Sequence, residues 1–134
     1  MDFTELYETA VGMRFFAYTP YYDFRVGAAL LAENESGEKR VFTGCNVQNS
    51  AFGANICAEH TAGAKAVSEG YRVFRAVAVA GGMGDEISEM VLPCGVCRQF
   101  LSEFAAEGMK VILLKDGSPA VFTLDEIFPR PFAL

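Results

Sequence analysis

The spacing of apolar positions divides the chain into short elements of changing period. Asp2 with Glu5 has the form of a capping box, and Leu6, Ala10, Val11 and Phe15 recur at helical spacing. They predict a first helix to about Ala17, broken by Tyr18-Thr19-Pro20-Tyr21. Residues 26–32 read as a strand, 34–37 as a turn and 40–47 as a returning strand, together a hairpin. A loop over 48–56 leads into a helix over about 57–68, closed by Gly70. Residues 73–80 are apolar without alternation, as in a strand covered on both faces. After a glycine-rich loop over 81–91, a third helix is expected over about 94–106, closed by Gly108. A strand over 111–114, a turn at Asp116-Gly117 and a short helix capped by Thr123 and Glu126 complete the chain before Pro129. A βαβαβ order after a hairpin predicts an α/β fold, a mixed sheet with helices packed on it. No linker or repeat interrupts it, so residues 1–134 are expected to form one domain.

Composition adds an expectation of assembly. The chain is 51% hydrophobic, with 12 Phe and no Trp. That is more apolar matter than a globule of this size readily hides, which points to subunit contacts. The net charge is −6 and no basic run exists, so binding to a nucleic-acid backbone is not expected. A small neutral or cationic ligand is easier to accommodate. Asp2, Glu5 and Glu8 stand where an export signal needs a basic start, and the uncharged run over 41–58 is rich in Asn, Gln and Gly. The expected setting is therefore the cytoplasm, with no membrane partner, and there four cysteines favour metal binding over disulfides.

The candidate chemistry lies in Cys57-Ala58-Glu59 and Pro93-Cys94-Gly95-Val96-Cys97. Cys-x-x-Cys supplies two thiolates from one turn and Cys57 a third, leaving the open position of a catalytic rather than structural zinc site. Both segments fall at predicted helix starts, where the helix dipole favours thiolates. Glu59 is too near Cys57 to be a ready ligand but can reach a metal-bound water. Such an arrangement is the general zinc-deaminase signature, with the glutamate as proton shuttle. His60, Arg98 and the free amides of the helix starts are candidate donors to the sulfurs. Cys45 reads either as a buried free thiol or as a fourth ligand that would close the site. Taken alone, His60 reads as a helix-surface or capping residue, and Phe24, Phe52 and Phe132 as core or interface residues.

With these residues in view, the chain resembles the small homotetrameric cytidine deaminases of the three-cysteine type over nearly its whole length. Five ordered blocks carry the resemblance: Tyr18-Thr19-Pro20-Tyr21 with Phe24-Arg25-Val26-Gly27-Ala28-Ala29; Gly44-Cys45-Asn46-Val47; Cys57-Ala58-Glu59; Pro93 to Gln99; and Phe128-Pro129-Arg130-Pro131-Phe132. The resemblance implies a three-layer fold with a mixed sheet, and zinc on Cys57, Cys94 and Cys97 with Glu59 moving protons. It implies Phe24 against the pyrimidine, Asn46 on the sugar, Gln48 and Ala58 in the substrate site, and Phe132 reaching a neighbouring subunit's site. It also implies that Cys45 is not a ligand. The expected activity is hydrolytic deamination of cytidine or deoxycytidine in pyrimidine salvage. Four positions depart from the family pattern: Tyr22 for a serine, His60 for an arginine, Gln48 for a glutamate that binds ribose hydroxyls, and Phe52 for a tyrosine near the sugar. The alternatives are the same chemistry on a modified nucleoside or an antibiotic such as blasticidin, and a zinc-stabilised binding module without turnover.

Overall fold

A computed structural model describes residues 2–134. Five strands form one mixed sheet in the order β2-β1-β3-β4-β5. They are β1 (Phe24–Glu33), β2 (Lys39–Cys45), β3 (Val73–Met83), β4 (Ala105–Lys115) and β5 (Ser118–Thr123). β3 and β4 run parallel, while the other neighbours are antiparallel. The parallel pair is joined through α3 (Gly95–Phe104), the kind of connection that parallel strands require. α1 (Phe3–Met13) covers one face, where Leu6, Tyr7 and Ala10 meet Ala29, Ala76, Ala78 and Ile112. α2 (Ala58–Ser68), α3 and α4 (Leu124–Ile127) cover the other, packing Ala58, Ala62, Leu101 and Leu124 on Ala28, Leu30, Val77 and Val79. Alternate residues of β1 and β3 thus enter opposite cores, as the pleat dictates. The expected three-layer mixed α/β sheet is found. No helix among the described residues is long and apolar enough to cross a membrane.

Several boundaries differ from the sequence expectation. α1 stops at Met13 and tightens into a 3₁₀ turn, Arg14–Phe16. Arg14 turns inward there, donating from Nε to the Arg25 carbonyl and from Nη2 to those of Gly82, Gly84 and Glu86. The third helix ends at Phe104, because Ala105 already pairs with Phe74. Gly108, expected as a helix terminator, instead holds φ +72° inside β4, in the stretch where the register with β3 shifts. β5 has no counterpart in the sequence reading. The Asp116-Gly117 turn was expected, and φ values of 52° and 82° suit a tight hairpin. Pro119 obscures the strand that follows, but an edge strand tolerates it. Asp2 accepts from the Glu5 amide at 2.8 Å, while both halves of a capping box are present at Thr123 and Glu126.

Gly44 fixes how closely α2 approaches the sheet. A Cβ there would lie 2.5 Å from the Ala58 carbonyl and 2.6 Å from the Ala62 amide, both backbone atoms that cannot rotate away. Gly44→Ala is expected to destabilise the fold by about 1–3 kcal/mol in thermal unfolding, the usual cost of overpacking. Gly53→Ala, with nothing within 4 Å of the added carbon, should leave the midpoint nearly unchanged. Equal midpoints for the two variants would contradict this account of α2 packing.

Candidate active site

Cys57 is the N-cap residue of α2, Cys94 that of α3, and Cys97 lies in the first turn of α3. Neither N-cap side chain makes a capping bond, so both thiols are available to other partners. The Cys57, Cys94 and Cys97 sulfurs all lie within 4.8 Å of one another, with Cys57 Sγ and Cys94 Sγ 3.5 Å apart. A tetrahedral zinc with bonds of about 2.3 Å needs sulfurs spaced by about 3.8 Å, so the donor set fits zinc in chemistry and span. Among the described residues this is the one cluster of metal-ligand type that the fold assembles. Cys45 remains a free thiol outside it, its pKa raised chiefly by burial.

The thiols do not share protons equally. Hydrogen bonding from Cys97 pulls the Cys57 thiol down to about 6, against the opposing effect of burial. Cys97, donating to Cys57 and buried, is pushed up from its ordinary value. One thiolate is thus readily formed, and metal binding would displace the remaining protons.

Glu59, only 3% exposed, lies in the first turn of α2 beside the sulfurs. Burial raises its carboxyl to about 7, partly offset by its own backbone N–H and Cys97, with the nearby Cys57 charge adding to the rise. Burial of this kind places a carboxyl where it can both take and give a proton near neutral pH.

A cavity of about 340 Å³ opens onto this centre, lined by Cys57, Ala58, Glu59 and Cys94 on one side and by Tyr22, Phe24, Asn46 and Gln48 on another. Leu92 and Val91, from the segment before Cys94, complete an apolar wall with Val26 and Val79. Val79, Val91 and Leu92 were not singled out in the sequence, since wall position depends on long-range packing. Arg14 holds the carbonyls of 82, 84 and 86 at the start of that segment, and a single inward arginine leaves little local signal.

The expected substrate residues divide. Phe24, Asn46, Gln48 and Ala58 line the cavity. The Asn46 amide is turned to the edge of β1, with Oδ1 accepting from Val26 N at 2.8 Å and Nδ2 donating to the Phe24 carbonyl at 2.9 Å. Phe132 lies outside the cavity lining and is 70% exposed. Its backbone is held by Gln99, whose Oε1 accepts from Phe132 N and whose Nε2 donates to Phe132 O. Phe52, also exposed, is not part of the lining.

The two side chains expected as candidate donors to sulfur make other contacts. Arg98 Nε donates to the Pro93 carbonyl and Nη1 to that of Ile127. The His60 ring stacks on Phe100 at 4.1 Å between centroids, tying α2 to α3 close to the centre.

Comparison with known proteins bears on the same elements. The family model for the cytidine and deoxycytidylate deaminase zinc-binding region matches residues 3–113. A cytidine deaminase of Sporosarcina psychrophila is 40% identical over 134 residues, covering 99% of this chain and 93% of its own. A "probable cytidine deaminase" of Dictyostelium discoideum is 49% identical over 89 residues, 66% of this chain and 56% of that protein. The crystal structure of a cytidine deaminase from Burkholderia pseudomallei superposes with a TM-score of 0.83 at 38% identity, covering 98% of this chain and 100% of that one. With the three-sulfur centre and the mixed sheet in place, the chain belongs to the cytidine and deoxycytidylate deaminase family of zinc-dependent hydrolases.

Proposed function

We propose that this protein hydrolytically deaminates a cytosine nucleoside, converting cytidine or deoxycytidine to the uracil nucleoside and ammonia. The observation that carries this reading is a buried carboxyl, Glu59, beside three convergent sulfurs, with Glu59, Cys57 and Cys94 in the wall of a largely apolar cavity. Cys57, Cys94 and Cys97 would hold the zinc, which when bound would supply the Lewis acidity that makes water nucleophilic near neutral pH. Glu59 takes a proton from the attacking water and delivers it to the pyrimidine ring nitrogen. It then carries the remaining proton of that water to the amino group, whose bond to the ring carbon breaks as it departs as ammonia. The water oxygen ends as the new carbonyl oxygen, so one water is consumed for each ammonia released. Phe24 packs on the pyrimidine, Ala58 borders it beside Glu59, and Asn46 and Gln48 lie toward the sugar.

A zinc-stabilised module without turnover gives Glu59 no role, since a closed structural site needs no buried acid beside it. The departures at Tyr22 and Gln48, both in the cavity lining, favour a second reading with the same chemistry: a cytosine nucleoside with an altered sugar, or a nucleoside antibiotic such as blasticidin. Ammonia release from cytidine, deoxycytidine, cytosine and blasticidin S separates these readings. Turnover of the antibiotic without turnover of cytidine would favour the second.

The working unit is a homotetramer of single-domain chains with shared sites. Phe15, Phe16, Tyr21 and Phe132 are all more than half exposed, an aromatic surface that subunit contacts would cover. The setting is the cytoplasm, in nucleoside salvage.

Metal analysis is expected to find about one zinc per chain, lost in Cys57→Ala, Cys94→Ala and Cys97→Ala and kept in Cys45→Ala. Loss in the Cys45 variant alone would overturn the ligand set. Glu59→Gln should keep zinc while kcat falls by at least the ~10²–10⁴-fold that general acid–base catalysis contributes. Near-normal turnover by that zinc-loaded variant would remove Glu59 from the mechanism. Light scattering should give the mass of four chains, and Phe132→Ala should lower kcat/KM without changing that mass. A fully active monomer would reject shared sites.

A further inference from the structure

Gln48 differs from the other cavity residues in how completely its side chain is engaged. Its Oε1 accepts from two consecutive amides, Tyr21 N at 3.1 Å and Tyr22 N at 3.2 Å. Its Nε2 donates to the Tyr22 carbonyl at 2.6 Å. That carbonyl also accepts from Phe24 N, and the Gln48 amide itself donates to the Tyr18 carbonyl. The 19–23 segment lies outside every helix and strand, and Gln48 gives it three side-chain bonds. Tyr22, on that segment, lines the cavity.

Hydrogen-bond capacity sets what Gln48 can still offer a ligand. An amide oxygen has two lone pairs and an amide nitrogen two protons. Both lone pairs and one proton are taken, which leaves one N–H donor and no acceptor. A ribose hydroxyl seeking an acceptor finds none at this side chain. A carboxylate at the same position could accept from both amides but could not donate to the Tyr22 carbonyl. The oxygen facing that carbonyl would be free to turn to a ligand hydroxyl.

We propose that Gln48 is a positioning and specificity-determining residue: it clasps the Tyr21–Tyr22 backbone to set the Tyr22 side of the cavity, and it offers a sugar hydroxyl no acceptor. The proposal rests on the deaminase reading for its kinetic arm only. The substrate class it implies is cytosine nucleosides selected with little regard to the sugar hydroxyls at this corner of the site.

The first measurement is amide hydrogen exchange by NMR on the zinc-replete protein. In Gln48→Ala the Tyr21 and Tyr22 amides should exchange at least ~tenfold faster, the change that loss of about 1.4 kcal/mol of local protection brings, with core strands unaffected. Unchanged exchange at both amides would overturn the clasp. The second measurement is steady-state turnover of cytidine and 2′,3′-dideoxycytidine by the native protein, Gln48→Ala and Gln48→Glu. Gln48→Ala should raise KM for both compounds by the same factor and leave kcat within about twofold, as expected when uniform binding is lost. Gln48→Glu should widen the preference for cytidine over the dideoxy compound, because a free acceptor has appeared. If Gln48→Ala instead narrows that preference by about tenfold, the native amide reads the hydroxyls and the proposal fails. Absence of ammonia from both compounds would reject cytidine-type nucleosides as substrates, while amide exchange would still decide the clasp.

Discussion

Three sulfurs from segments far apart in sequence meet because two helices begin at the same place. Cys57 caps α2 and Cys94 caps α3, and their sulfurs are 3.5 Å apart although 37 residues separate them along the chain. The sheet imposes this meeting. α2 leads into β3, and α3 joins β3 to its parallel neighbour β4 on the same face. The close approach of α2 at Gly44 and the His60–Phe100 stack then bring the helix starts together. Helix N-termini favour negative charge, so the place where the sulfurs converge is also one where thiolates are electrostatically welcome. Glu59 follows as a consequence. A residue two positions into α2, pressed against the sheet, has little access to water and holds its proton up to about pH 7.

Around this centre, polar side chains serve backbone that has no regular partner. Asn46 pairs with the edge of β1, Gln48 with Tyr21–Tyr22, Gln99 with Phe132, and Arg14 with the carbonyls of 82, 84 and 86. Each irregular segment carries amides and carbonyls that need partners, and these side chains supply them. The cavity wall is therefore shaped by the same bonds that hold its loops. A substitution at such a position can change ligand fit without touching the ligand.

Much of this was legible in the sequence, for identifiable reasons. The hairpin, the covered strand and the helix starts follow from local period and turn chemistry; β3 is buried over 76–80 as expected, and it runs on to Met83 through residues that read as loop. The misplaced ends of α1 and α3 have tertiary causes, the inward turn of Arg14 and the early pairing of Ala105. β5 was hidden by Pro119, which its edge position tolerates. His60 and Arg98 were read as candidate donors to sulfur from their nearness in sequence; the structure adds a stack of His60 on Phe100 and bonds from Arg98 to the Pro93 and Ile127 carbonyls.

The sequence by itself determined the donor set. Three cysteines and a glutamate at those spacings, with helix signals around them, define a chemistry before any fold is drawn, because ligand type and the open position depend on residue identity. Only the tertiary structure decided how each polar side chain is used. Whether Gln48 faces a sugar or a backbone, or Asn46 a ligand or a strand edge, depends on which amides and carbonyls the loops leave unpaired. That is a property of chain segments brought together from a distance, and no local pattern encodes it.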